Sequence, residues 1–252
     1  MKITCATYNI LHGYFVEEIG KNIKALAEKA DILCIQEAEI PVEDYLPENW
    51  QIEYFHNTRG CNLAIAWNAS KFTLKQSKKF LLPKSFKFSL LKRMIDMRDV
   101  ERGVLSAVFS GEGKDIRITN IHLAWENGGR QRIKQLEYLL RDLSESDVNG
   151  EILVGDFNTF NYPLFQRFEE KKIEGVLSGW ANVFQGIPWT CDTSYSDPKD
   201  GVEKFVKILR IFKIKFRCRM DYIFSKNLEV ISKEMLDVPG SDHRPLVATF
   251  EI

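Results

Sequence analysis

No stretch of the 252-residue chain approaches the roughly eighteen consecutive apolar residues of a membrane-spanning helix, so none is expected. Its opening residues, Met1-Lys2-Ile3-Thr4-Cys5-Ala6-Thr7-Tyr8, lack the apolar block and small-residue cleavage site of a secretory leader. Cysteine is scarce. Cys5, Cys34, Cys61, Cys191 and Cys218 are an odd, scattered set, which forms neither a disulfide framework nor zinc-finger spacing. Buried thiols in a reducing compartment are the expectation, and with them a cytoplasmic location. There is also no internal repeat and no low-complexity linker, so a single domain over residues 1–252 is expected. At 44% hydrophobic and 28% charged residues, the composition excludes a disordered chain.

Net charge is absent too, but the balance is local. Between Lys71 and Arg102 ten Lys or Arg stand against three acidic residues, a net +7. Between Lys199 and Arg219 eight stand against two, a net +6. Two basic segments on an otherwise acidic chain suit an anionic substrate, and solvated surface faces would look the same. Within them, Pro83–Arg98 and Val202–Phe216 interleave Phe, Leu, Ile and Met with Lys and Arg. Such amphipathic segments dock on nucleic acid or a membrane surface, or simply pack on the core. Nothing marks an obligate protein partner.

Short apolar or β-branched runs recur: Ile3–Ile10, Asp31–Gln36, Ile52–His56, Leu63–Trp67, Gly103–Phe109, Ile116–Ile121, Ile152–Gly155, Arg219–Phe224 and Pro245–Phe250. Each has strand length. Helical stripes fall between some of them, as Ile19, Ile23, Leu26, Ala27 and Ala30, and again as Ile133, Leu136, Leu140 and Leu143. The class is α/β. Two packed sheets covered by helices bury these runs better than a single doubly wound sheet.

Chemistry-bearing residues gather at the ends of the expected strands. Asn9 closes the first, Glu37 follows Ile35-Gln36, and His122 follows Asn120-Ile121. Asp156 and Asn158 follow Ile152–Val154, Asp221 lies in Arg219-Met220-Asp221-Tyr222, and Asp242-His243 precedes Pro245. Loops at one sheet edge are where a rigid scaffold collects reactive side chains. Carboxylate oxygens make a hard-cation site of Mg²⁺ type, amides and imidazoles hold phosphoryl oxygens, and an Asp–His pair handles protons. Singly, each of these residues would serve as well in a cap or turn.

The ordered set Thr7-Tyr8-Asn9-Ile10, Ile35-Gln36-Glu37, Asn120-Ile121-His122-Leu123, Gly155-Asp156-Phe157-Asn158, Arg219-Met220-Asp221-Tyr222-Ile223 and Ser241-Asp242-His243-Arg244-Pro245-Leu246 resembles the endonuclease/exonuclease/phosphatase superfamily, with its deoxyribonuclease I-like fold. The resemblance spans nearly the whole chain. It implies a four-layer α/β sandwich, two packed mixed β-sheets flanked by helices, and a phosphoesterase dependent on Mg²⁺ or Mn²⁺. It further implies Glu37 as the main metal ligand, with Asn9 and Asp242 nearby. Asp156 would orient or deprotonate the attacking water, and Asn158 and His122 would hold the non-bridging phosphate oxygens. His243 would act as the acid–base imidazole, oriented and charged by Asp221. Arg102 is a further phosphate candidate, because a guanidinium forks onto phosphate oxygens. Arg132 and Gln135 read as helix-surface or loop-anchoring residues, and His12 and His56, outside every motif, as structural.

The Thr7-Tyr8-Asn9 and His122-Leu123 forms are closer to the superfamily branch holding sphingomyelinase-like and DNA-end-processing enzymes, although the latter usually carry Thr where this chain has Phe157. Nucleic acid is the favoured substrate and a phospholipid or phosphoinositide headgroup the alternative. A catalytically dead binding module comes third, because no member of the set is substituted.

Overall fold

The computed structural model describes residues 1–57, 61–84, 101–125, 128–143, 147–159, 166–192 and 217–252. Val202–Phe216 and all of Pro83–Arg98 beyond Lys84 lie outside the described residues.

Strand β1 (Lys2–Asn9) leads through α1 (Val16–Lys29) to β2 (Ile32–Gln36), and β1 and β2 pair in parallel. Every residue of β2, Ile32-Leu33-Cys34-Ile35-Gln36, is buried, as expected of a strand covered on both faces. β3 (Trp50–Phe55), β4 (Leu63–Asn68), β13 (Glu229–Met235) and β14 (Leu246–Glu251) complete a six-stranded sheet in the order β13-β14-β1-β2-β4-β3. The second sheet repeats the plan. β7 (Lys114–His122) leads through α2 (Gly129–Leu143) to the parallel β8 (Gly150–Asp156). With β5 (Thr73–Leu81), β6 (Gly103–Gly111), β9 (Ala181–Asn182) and β12 (Asp221–Lys226), its order is β5-β6-β7-β8-β12-β9. Helix α3 (Gln166–Val176) follows β8, and a ribbon of β10 (Cys191–Asp192) and β11 (Arg217–Cys218) stands apart from both sheets.

The layers are those the resemblance implies. Between the sheets, Ile3, Cys5, Ile32, Cys34 and Ile65 meet Leu105, Phe109, Ile118, Val154 and Ile223. On one outer face Ile19, Ile23 and Leu26 of α1 cover Tyr8, Leu33 and Ile35. On the other, Leu136, Leu139 and Leu143 of α2 and Ile173 of α3 cover Ile121, Leu153 and Phe224. Each fully buried Leu or Ile contributes about 1.5–3 kcal/mol, so three apolar interfaces between four layers hold both strand edges in place. All five cysteines are buried.

Strand direction explains why the reactive residues converge. Asn9 pairs with Gln36 where parallel β1 and β2 end, and His122 pairs with Asp156 where parallel β7 and β8 end. Antiparallel β12 begins at that edge, with Asp221 opposite Asp156. β14 begins opposite Thr7, which brings Ser241–Pro245 alongside Asn9. A buried polar bridge ties the two edges together. Asn120 Nδ2 of the second sheet donates to the Ile35 and Ala64 carbonyls of the first at 2.9 Å each. Gln36 Nε2 donates back to Asn120 Oδ1 at 2.6 Å and to Thr7 Oγ1 at 2.9 Å.

Candidate active site

Asp156 is at the centre. Its two oxygens accept from the Asn158 backbone N–H at 2.7 Å and from Asn9 Nδ2 at 3.0 Å. His122 Nε2 lies 3.5 Å and His243 Nε2 3.9 Å from its Oδ2. The turn that presents it requires glycine: Gly155 has φ +134°, and a Cβ there would stand 2.0 Å from the Ile121 carbonyl oxygen. Asn158, at φ +50°, then turns back, its side-chain amide donating to the Leu123 carbonyl at 2.9 Å. Burial pushes the Asp156 carboxyl up to about 7, with Asp221 and Glu37 adding to the rise against the opposing pull of His243. Among carboxylates, one poised near neutrality is suited to proton transfer.

The imidazoles differ from each other. Burial, then the nearby charges of Arg102 and His243, hold His122 well below the ordinary range, so it is neutral. Its 3.5 Å approach to Asp156 and 3.9 Å approach to Glu37 are therefore not ion pairs. Arg102 Nη1 reaches to 2.9 Å from His122 Nε2, which brings a guanidinium into the cluster. His243 behaves oppositely. Burial disfavours its charge, but Asp221 foremost, with Asp242 and Asp156, raises it well above the ordinary range. Nδ1 of His243 meets Asp221 Oδ2 at 2.8 Å and Oδ1 at 3.1 Å, so the ring is both charged and oriented. Thr190 Oγ1 accepts from the Met220 and Asp221 backbone N–H groups, fixing the strand that carries the carboxylate. Ser241 Oγ accepts from the His243 N–H at 3.1 Å and donates to the Asn9 carbonyl at 2.8 Å, locking the last loop onto β1.

Glu37, at φ +57°, offers a different face. Its Oε1 accepts from Asn9 Nδ2 at 3.1 Å, while its Oε2 is buried with no hydrogen-bond partner. A buried carboxylate oxygen with unused lone pairs is costly unless something positive takes it. Asp242 lies close enough that Glu37 contributes, after burial, to raising its carboxyl. Glu37 and Asp242 thus offer carboxylate oxygens suited to a hard divalent cation, while Asn9 turns its amide N–H group towards Glu37 and Asp156. Among the described residues Glu37, His122 and Asp156 form one group whose ligand atoms lie within 4.8 Å of one another, Asp156, Asp221 and His243 form another, and Cys191, Asp242 and His243 form a softer third. There the Cys191 thiol is pushed up by its hydrogen bond to Cys218 and by burial, and the His243 ring is engaged by Asp221, which disfavours it as a metal centre.

All nine residues expected from the sequence, Asn9, Glu37, Arg102, His122, Asp156, Asn158, Asp221, Asp242 and His243, lie at this one edge. A family model described as Endonuclease/Exonuclease/phosphatase family matches residues 6–243. The chain belongs to that family, whose members are hydrolytic phosphoesterases. No curated protein sequence matches it. Among solved structures, an endonuclease/exonuclease/phosphatase from Bacteroides vulgatus superposes with a TM-score of 0.74 at 17% identity, covering 100% of this chain and 99% of that one. D. rerio TDP2 complexed with single strand DNA product gives 0.71 at 18%, covering 100% and 99%. The Bacteroides thetaiotaomicron mannosyl-6-phosphatase Bt3783 gives 0.69 at 16%, covering 99% and 100%. At these identities the likeness is one of fold.

For this family member, one residue read from sequence as structural is placed otherwise. His12 Nε2 stands 3.3 Å from Glu37 Oε2. The available signal was its position three residues beyond Asn9 and just before the turn residue Gly13. His56 stacks on Tyr54, ring centroids 5.1 Å apart, away from the cluster's contacts. Arg132 and Gln135 are loop anchors, but buried ones: Arg132 Nη1 donates to the Ala124 carbonyl at 3.1 Å, and Gln135 Oε1 accepts from the Ala124 N–H at 3.0 Å. Both steady the loop that follows His122.

Proposed function

We propose that the chain is a Mg²⁺- or Mn²⁺-dependent phosphodiesterase of nuclease or DNA-end-processing type, hydrolysing nucleic acid by in-line attack of water. The observation that carries this reading is the Asp156 carboxyl, raised to about 7 and set 3.9 Å from the charged imidazole of His243. A phosphodiester needs an activated water on one side, charge neutralisation on the phosphoryl oxygens and help for the leaving oxyanion on the other. Asp156 orients the water and takes its proton. Arg102, His122 and Asn158 hold the non-bridging oxygens. His243, charged and aligned by Asp221, stabilises the transition state and protonates the departing oxygen. Glu37, with Asn9 and Asp242 nearby, would hold a divalent cation, which would supply further charge neutralisation.

Nucleic acid is favoured by the likeness to a TDP2 complexed with single strand DNA product and by the two basic segments of net +7 and +6. A phospholipid or phosphoinositide headgroup is the second reading. It is favoured by Tyr14, Phe15 and Val16, three consecutive apolar residues 36%, 42% and 45% exposed, two to four positions beyond His12. Membrane contact through Pro83–Arg98 and Val202–Phe216 belongs to that reading. A panel of plasmid DNA, single-stranded DNA, RNA, 5′-adducted DNA, sphingomyelin, inositol phosphates and a sugar phosphate, each with Mg²⁺ or Mn²⁺, tests the choice. Fastest turnover on a nucleic acid is expected. Turnover confined to lipid or to phosphomonoesters would contradict the substrate, and none on any ester would contradict the enzyme.

A further inference from the structure

The turn after β1 is held in a conformation that ordinary connections avoid. Leu11, His12 and Gly13 have φ of +47°, +55° and +71° in succession. Left-handed conformations cost non-glycine residues of order 1–3 kcal/mol each, and such strain persists where the surroundings over-determine it. Here they do. Asn9 Oδ1 accepts from the Leu11 N–H at 3.0 Å, the Gly13 N–H donates to the Ile10 carbonyl at 2.9 Å, and a Cβ on Gly13 would stand 2.4 Å from Ile40 Cγ2. A helix could begin after β1 without this detour. What the detour achieves is to fold the His12 side chain back towards Glu37, its Nε2 3.3 Å from Oε2.

The two ring nitrogens have unequal surroundings. Nδ1 is buried with no hydrogen-bond partner, and the Tyr14 ring stands edge-on to the imidazole, with centroids 5.2 Å apart. A buried N–H without an acceptor costs more than a bare lone pair, so the neutral ring keeps its proton on Nε2, the atom facing Glu37. In that tautomer Nε2 is a donor and has no lone pair for a cation. Asn9 already donates to Oε1 from the other side.

We propose that His12 is a positioning residue for the metal ligand Glu37. Asn9 donates to one oxygen of the carboxylate and the His12 ring stands 3.3 Å from the other, so that the remaining lone pairs aim into the site. This rests on reading Glu37 as a metal ligand. Donors behind a ligating group set its orientation, and their loss typically lowers metal affinity about 10–100-fold. The glutamine amide at His12→Gln can place an N–H near the Nε2 position, whereas His12→Leu removes the donor.

The experiment is a Mg²⁺ and Mn²⁺ binding titration by calorimetry on substrate-free protein, for wild type, His12→Leu, His12→Gln and Glu37→Gln, with melting temperatures in chelator as the folding control. His12→Leu is expected to weaken binding of both ions about tenfold or more while its chelated melting temperature stays near wild type, with His12→Gln recovering most of the loss. Unchanged binding in His12→Leu beside lost binding in Glu37→Gln would overturn the role of His12 alone. Unchanged binding in Glu37→Gln would overturn the reading of Glu37 itself. Equal losses in both His12 variants, with lowered melting in chelator, would make the residue a packing element and overturn the inference. Loss of Mn²⁺ binding with Mg²⁺ binding untouched would make His12 a ligand, and so overturn it too.

Discussion

His243 Nδ1 meets Asp221 Oδ2 at 2.8 Å, inside a site where both side chains are buried. The contact joins the loop before β14 to the first residue of β12, and so couples the two sheets through their reactive groups. Removing the charge while keeping the shape isolates its contribution. Asp221→Asn should lower kcat by about 10²–10⁴-fold, the range for a positioned acid–base group, with little change in KM. Steady-state kinetics on a small diester decide it, and a variant retaining most of its turnover would show that the pair is structural.

Glu37 and Asp156 should separate metal binding from chemistry. Glu37→Ala is expected to raise the Mg²⁺ concentration giving half-maximal activity, because it removes the carboxylate with the unpartnered oxygen. Asp156→Asn is expected to lower turnover by two decades or more at saturating metal while leaving that concentration nearly fixed. Metal-activation curves for both variants test the division. Indistinguishable curves would place both residues in one role.

Asn120 carries a stability prediction. Asn120→Ala deprives the Ile35 and Ala64 carbonyls of their side-chain donor and leaves the Gln36 amide without one acceptor. Each buried polar group left unsatisfied costs about 1–3 kcal/mol, so a loss of about 3 kcal/mol in urea unfolding is expected. A loss below about 1 kcal/mol would mean that the bridge between the sheets contributes little.

Gly155→Ala should be worse tolerated than a typical strand substitution. The backbone there has φ +134° and faces the Ile121 carbonyl oxygen at 2.0 Å from the added Cβ, so parallel β7 and β8 must part. A destabilisation of about 3 kcal/mol or more is expected from unfolding curves, with activity falling as Asp156 shifts. A near-native stability would show that the turn can relax.

Much of this was legible in the sequence, for physical reasons that also explain the gaps. β2 and β4 read as strands because both faces are buried, which forces continuous apolar runs. β5 and β13 were missed. They are edge strands whose side chains are nearly all exposed, rich in Lys and Glu, and they carry no alternation to detect. The α1 stripe is as expected, whereas in α2 the buried face runs through Leu136, Leu139 and Leu143, with Ile133 and Leu140 only partly covered. That rotation follows from Arg132 and Gln135, which must turn inward to reach the Ala124 backbone. The reactive residues were visible because each ends or begins a strand at one edge. His12 was not, because its place beside Glu37 depends on three successive left-handed residues that no hydrophobic period announces.

The central claim, metal-assisted phosphodiester hydrolysis at the Glu37–Asp156–His243 edge, is tested most directly by one rate. Protein stripped with EDTA and assayed on bis-nitrophenyl phosphate should be inactive, and Mg²⁺ or Mn²⁺ titrated back should restore hydrolysis in wild type but not in His243→Ala. Full activity in chelator, or full metal-restored activity without His243, would contradict it.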